Sequence, residues 1–183
     1  MVSIFKPLII LLLPAFLLIP RIDAVFSATM QRKALAEVLL LLFCGWLLSR
    51  VLPRRPPWHA PSVVAAATLL FLFWMIPRSI DLTQLDAGAN VLYVISIFAV
   101  AYLLSSYLPG LPSVIKVTYG LYVPSMIVAL GLLYASQTTL LCSAFTLEDQ
   151  HAFGRMIIAL GIAVYLVVLA STPRWLTAPV NRR

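Results

Sequence analysis

The sequence predicts an all-α protein, a polytopic transmembrane helical bundle of about six spans that forms one integral membrane domain over residues 1–183. Three observations carry that expectation. Of the 183 residues, 62% are hydrophobic and 10% charged, too few charges to cover the surface of a water-soluble domain. The mean hydropathy is +1.02. Uncharged stretches also reach membrane length, with no charge between Asp86 and Lys116 or between Lys116 and Glu148, and a bilayer core needs roughly 20 apolar residues per helix.

Taken in order, the spans fall near residues 6–20, 34–52, 61–77, 88–108, 114–136 and 153–172. The first, "KPLIILLLPAFLLIPRIDA", has two readings. Its single Lys and short apolar run, with Ile22 and Ala24 at processing positions, resemble a secretory signal peptide. Ile22 and the mid-run Pro make a poor cleavage site, and a Pro-kinked helix is tolerated in a bilayer, so a retained span is the preferred reading. The second, "KALAEVLLLLFCGWLLSRVLPRR", carries Glu37 one turn from its start. The third, "PSVVAAATLLFLFWMIPR", is closed by Pro and Arg. The fourth and fifth are the two uncharged stretches, separated near Pro109 to Lys116, with Pro124 expected to kink the fifth. The sixth is "RMIIALGIAVYLVVLASTPRW".

The net charge of +7 comes from basic residues spread singly or beside apolar segments, which argues against nucleic acid and for topology setting and contact with the lipid bilayer. With the N-terminus inside, Lys6, Arg50, Arg54, Arg55, Lys116, Arg174, Arg182 and Arg183 fall on the cytoplasmic side, against Arg21, Arg32, Lys33, Arg78 and Arg155 outside. That excess places both termini in the cytoplasm. Asp23, Asp81, Asp86, Glu148 and Asp149 then lie outside. No internal repeat is evident, and Cys44 and Cys142 sit in no metal or redox spacing.

Three polar concentrations remain, all on the outer side. In "RKALAEVLLLL", Lys33 and Glu37 share one helical face; a carboxylate at that depth needs a partner, and Lys33 is the nearest. On that basis Glu37→Ala alone would leave an unpaired ammonium. In "FWMIPRSIDLTQLDAGAN", Arg78 and Asp81 can pair across one turn, while Trp74 suits an interfacial belt and Arg78 a snorkelling anchor. In "TLEDQHAFGR", Thr146 and Asp149 match a capping box at a helix N-terminus, where Glu148 and Asp149 also suit the helix dipole. Capping leaves Gln150, His151 and Arg155 unexplained.

Taken together, these segments resemble the CtaG-type cytochrome c oxidase assembly factors. "FWMIPRSIDL" is similar to that family's Trp-His-Leu-Pro segment followed by Asp or Asn. "LEDQHAFGRMIIALGIAVYLVVLASTPRWL" is similar to its Asp-Gln, Gly, Met, Trp-terminated last conserved helix, and the order of segments over residues 32–176 agrees. The resemblance implies an assembly factor of a respiratory complex in a bacterial inner membrane, with copper as the cargo delivered. Here Lys33 and Glu37 stand at the family's His-x-x-x-His positions, Met75 replaces the His after Trp74, and Asn90 and Val94 stand at the next histidine positions. Lys is protonated at neutral pH and cannot ligate, so the donors left for copper are Met30, Met75, Cys142 and His151.

The expected function is therefore a non-catalytic accessory or assembly protein. It would act by contacts with other membrane subunits through a polar rim of Lys33, Glu37, Trp74, Arg78, Asp81, Asn90, Asp149, Gln150 and Arg155. The alternative is a small transporter or channel with a polar site at the outer face, against which stand few intramembrane charges and no paired broken helices. No nucleophile, base and orienting partner occur together as an enzyme requires.

Overall fold

A computed structural model of the chain describes residues 5–52 and 59–177. The cluster with Arg54 and Arg55, the terminal Arg182 and Arg183, and the side chains of Lys6 and Arg174 lie outside the described residues. Among the described residues eight α-helices follow one another: α1 (Phe5–Leu17), α2 (Pro20–Ser27), α3 (Val38–Val51), α4 (Ala60–Trp74), α5 (Pro77–Leu85), α6 (Ala87–Tyr107), α7 (Ser113–Ser136) and α8 (Leu147–Thr177). A π-helical segment, Arg32–Glu37, runs directly into α3, and a 3-10 turn, Leu108–Gly110, follows α6. The protein is thus an all-α bundle. Among the described residues four helical segments are each long and apolar enough to cross a bilayer, and the number reaches six if each of two bent helix pairs is one span.

Those bends are the first departure from expectation. Between α1 and α2 the chain turns by 70°, and between α4 and α5 by 69°. Both turns have the same cause. Ile19 (φ −68, ψ 125) and Ile76 (φ −68, ψ 137) are extended, because a residue preceding proline is driven out of the helical region. Pro20 and Pro77 then open the next helix, where a missing N–H does no harm. The flanking sequences match as well: Ile-Pro-Arg-Ile-Asp at 19–23 and Ile-Pro-Arg-Ser-Ile-Asp at 76–81. The described residues therefore do contain two similarly ordered units and a pair of broken helices, each unit being a helix, a short proline-started helix and a helix of membrane length. The one-residue difference between the motifs hides the likeness from a fixed-spacing reading.

The two units pack around their second spans. α3 lies against α6, with α1 on α3 and α4 on α6. The crossing is close because of Gly45, where an added Cβ would stand 2.7 Å from the Phe98 carbonyl oxygen and 2.8 Å from the Tyr102 nitrogen. Backbone approach of this kind is the usual basis of helix association in lipid. Leu17 and Trp74, which end the equivalent helices α1 and α4, enter one core cluster with Leu41, Tyr93, Val94 and Ile97. α7 and α8 form a separate hairpin, again through glycine: a Cβ on Gly154 would meet the Ala135 nitrogen at 2.6 Å and the Gly131 oxygen at 2.8 Å.

Helix limits differ from expectation where local chemistry outweighs hydropathy. α8 begins at Leu147, not near 153, because Thr146 caps it: the Asp149 N–H donates to Thr146 Oγ1 (3.1 Å) and the Thr146 hydroxyl donates to Asp149 Oδ2 (2.9 Å). The third span stops at Trp74 because of Pro77. α7 carries Pro124 in its interior and runs on as one helix to Ser136. Around the bundle, Leu69 (69% exposed), Leu92 (63%) and Val167 (65%) point outward, as lipid-facing side chains do.

Candidate functional site

Both bends, the π-helical segment and the loop at residues 137–146 lie at one end of the bundle, here termed the capped end. Lys33 is the centre of the site. Its side chain is 1% exposed, and its Nζ reaches three oxygens: Asp23 Oδ1 at 2.8 Å, Asn90 Oδ1 at 2.8 Å and Glu37 Oε2 at 3.0 Å. The contacts with Asp23 and Asn90 are hydrogen bonds, and the one with Glu37 is an ion pair without hydrogen-bond geometry. The Asn90 amide turns its other end to Asp23 Oδ1 at 3.2 Å. Tyr93 lies beneath, its ring centroid 5.5 Å from Nζ and its hydroxyl donating to the Lys33 carbonyl at 3.2 Å. That carbonyl belongs to the π-helical segment. A widened turn loosens the regular backbone ladder, which is why such turns recur at functional sites.

The expected Lys33–Glu37 pair is present, and the expectation that it is self-contained is corrected. Asp23, from α2, holds Lys33 more closely than Glu37 does, and Asn90 crosses from the second unit. The 70° bend brings Asp23 to the ammonium. Loss of Glu37 therefore does not strand Lys33, which revises the expected effect of Glu37→Ala. The cluster has two carboxylates against one ammonium. Glu37 is 1% exposed, and neither of its carboxylate oxygens accepts a hydrogen bond; Oε2 has only the ion pair with Lys33. The buried Trp74 indole N–H has none either, while its ring meets Tyr93 edge-on at 5.4 Å. Trp74 is thus a core residue and not an interfacial belt.

The Arg78–Asp81 pairing is replaced by another contact. Arg78 is exposed, while Asp81 accepts from the Ser143 N–H (2.6 Å) and hydroxyl (3.0 Å) and from the Ala144 N–H (3.0 Å). Two backbone N–H groups and a hydroxyl make charge-assisted hydrogen bonds to this carboxylate, whereas an exposed ion pair contributes little. The aspartates of the two units thus differ, Asp23 turning inward to Lys33 and Asp81 outward to the loop.

Gln150 is the main tie within that loop. It is 1% exposed; its Oε1 accepts from the Leu141 N–H at 2.8 Å, and its Nε2 points at the carbonyls of Tyr134 (3.4 Å) and Thr139 (3.5 Å). Gln31 Nε2 reaches the Asp149 carbonyl at 3.4 Å, joining the first unit to α8. The Tyr134 hydroxyl donates to the Met75 carbonyl at 3.0 Å. Arg155 is exposed and stands apart from these contacts.

Two of the four candidate copper donors, Met30 and Cys142, share one core cluster. Met30 is a fully buried core residue beside Cys142 and Phe153. Met75 is engaged through its backbone. His151 Nε2 lies 2.8 Å from the Gln137 carbonyl, a contact that makes this nitrogen the donor and leaves the lone pair on Nδ1. The Cys142 thiol donates to the Pro77 carbonyl at 3.4 Å, and burial, with the Asp81 charge nearby, pushes its pKa up to about 12. A metal needs the thiolate. Among the described residues no group of three or more His, Cys, Asp or Glu side chains gathers as a metal would require. Lys33 occupies the polar centre with a positive charge, which disfavours a metal cation at that point.

Asp23, Tyr93, Gln31 and Ser143 are the participants that sequence reasoning missed. Asp23 could have been found from the repeated Ile-Pro-Arg motif. No protein-family model, curated protein or solved structure matches the chain.

Proposed function

We propose that the protein is a non-catalytic accessory protein of an energy-conserving membrane, acting through contacts of its capped end with another membrane protein complex. One observation carries this reading. Bends of 70° and 69° turn α2 and α5 across the end of the spans, and Asp81 fastens the loop at 143–144 onto α5. The result is a preformed platform with a polar base and exposed apolar residues, Leu82 (47% exposed) and Leu85 (74%). Pre-organised surfaces bind at a smaller cost in conformational entropy. The Lys and Arg balance supports an outward-facing platform, with both termini in the cytoplasm of a bacterial cell. The resemblance to CtaG-type factors supplies the partner, a respiratory complex of the terminal oxidase kind, and the Lys33 ammonium at the centre of the site disfavours a copper ion there.

The test pairs a phenotype with a contact. Deletion of the gene lowers the amount of assembled oxidase, and a photo-reactive residue at Leu85 crosslinks to a subunit of that complex, while one at the lipid-facing Leu69 does not. Unchanged levels of assembled oxidase, with crosslinks from Leu85 to lipid alone, would sink the reading.

A second reading, a small proton-coupled transporter, is favoured by the paired broken helices and by the surplus carboxylate at Glu37. Proteoliposomes carrying an internal pH dye distinguish the two. The accessory reading expects no proton flux above that of empty vesicles.

A further inference from the structure

The end of the bundle opposite the platform holds a second constellation, which the proposed function does not use. A cleft of about 670 Å³ lies between the last turns of α3 and α6, lined by Trp46, Ser49, Arg50, Ser105, Ser106 and Pro109. The Arg50 guanidinium lies over the Trp46 ring at 5.1 Å, and the Ser49 hydroxyl donates to the Trp46 carbonyl at 2.7 Å. Ser106 is 8% exposed, and its hydroxyl has no partner. Such a group is expensive to bury unless something completes its bonding.

Round the same turn, Leu108 and Pro109 also border a second groove, of about 490 Å³, with Val123, Pro124, Val164 and Val168 as apolar walls and Lys116 at its end. No acidic residue lines either space. Among the described residues, both ion pairs involve Lys33, so neither Arg50 nor Lys116 has an acidic partner.

We propose that these two spaces form one binding site for an anionic phospholipid. The phosphate sits in the serine-lined cleft, bonded by Arg50 and the Ser106 hydroxyl, and an acyl chain lies in the valine-walled groove. The fit is one of shape and charge together: a polar cavity with a guanidinium and hydroxyls meets an apolar groove at a single turn, at the depth where a helix passes from hydrocarbon to headgroups. Two unpaired cations select a net negative headgroup over a zwitterionic one, whose ammonium would be brought towards Arg50. Arg stacked on Trp is already held in place, so less freedom is lost when it bonds a phosphate.

Native mass spectrometry and thermal melting of the full chain in neutral detergent test the site, with phosphatidylglycerol, phosphatidylcholine of the same acyl chains, and inorganic phosphate as probes. Phosphatidylglycerol is expected to be retained at one equivalent and to raise the melting temperature, while phosphatidylcholine and inorganic phosphate do neither. Arg50→Gln, at an exposed position, should weaken retention by about tenfold, the weight of one charge-assisted bond. Ser106→Ala should weaken it without lowering the melting temperature of the lipid-free protein. Equal retention of the two lipids, or unchanged retention in Arg50→Gln, overturns the proposal. An equal response to inorganic phosphate overturns the lipid assignment in favour of a free-anion site.

Discussion

Replacing Lys33 by Met keeps the length and most of the volume of the side chain while removing its charge. The change leaves Asp23 and the Asn90 carbonyl oxygen without their donor and Glu37 without its counter-ion, all three lying 2.8–3.0 Å from the ammonium. Breaking a buried ion pair from one side destabilises by about 3–5 kcal/mol. Lys33 and Glu37 are each 1% exposed and Asp23 is 30% exposed, so water can relieve Asp23 but not Glu37. Glu37→Gln acts in the opposite sense: it removes the surplus negative charge, keeps an amide oxygen for Lys33 and leaves Asp23 and Asn90 in place. Its effect should stay within about 1 kcal/mol of wild type, the range of a single net hydrogen bond. The double change Lys33→Met, Glu37→Gln should recover much of the loss, since Asp23, partly exposed and still bonded by the Asn90 amide, is then the one charge of the cluster left without a counter-ion. Unfolding by SDS in mixed micelles, followed by far-UV circular dichroism, gives all four stabilities. Lys33→Met as stable as wild type, or Glu37→Gln as damaging as Lys33→Met, would refute the placement of Lys33 as the shared centre.

Further predictions concern the packing and the loop. Gly45→Ala should force α3 and α6 apart and lower stability by about 1–3 kcal/mol, as overpacking does, since the new Cβ would lie 2.7 Å from the Phe98 oxygen; the same unfolding assay checks it. Asp81→Ala strands the Ser143 and Ala144 amides, and hydrogen exchange there should speed up while exchange in α6 stays slow. Cys142, with its pKa pushed up to about 12, should resist maleimide labelling at neutral pH until the protein is unfolded. Because the folded state holds that thiol proton more tightly than the unfolded state, stability should fall as pH rises above the ordinary thiol value towards 12. A melting temperature independent of pH across that window would contradict the burial of Cys142.

The spans were legible because a bilayer imposes a length on apolar runs, and Lys33 with Glu37 was legible because residues four apart share a helical face. Asp23 was not. It lies in a segment that reads as a loop, and only the turn forced by Ile19 and Pro20 swings it onto Lys33. The likeness of the two units was obscured by one additional residue, Ser79, although Ile-Pro-Arg stands in both. The π-helical segment has no compositional mark; its residues are ordinary helix formers, and the bond from Tyr93 to the Lys33 carbonyl appears only once α6 is in place. Asp81 misled because its nearest charge in sequence is Arg78, whereas its partners lie more than sixty residues away. Gln150 looked like part of a cap, and its inward role depends on the loop at 137–146 closing over it.

The three-oxygen grip on Lys33 also sets an order on how the chain enters its membrane. Arg32–Val51 carries Lys33 and Glu37 towards the bilayer while the second unit is still unmade. Ribosomes add roughly 5–20 residues per second, so Asn90 follows Lys33 only after an interval on the order of seconds. Asp23, synthesised ten residues ahead of Lys33, is present from the start. It is the counter-ion with which the first half of the protein can be inserted before its second half exists, and Asn90 then closes the site when α6 arrives.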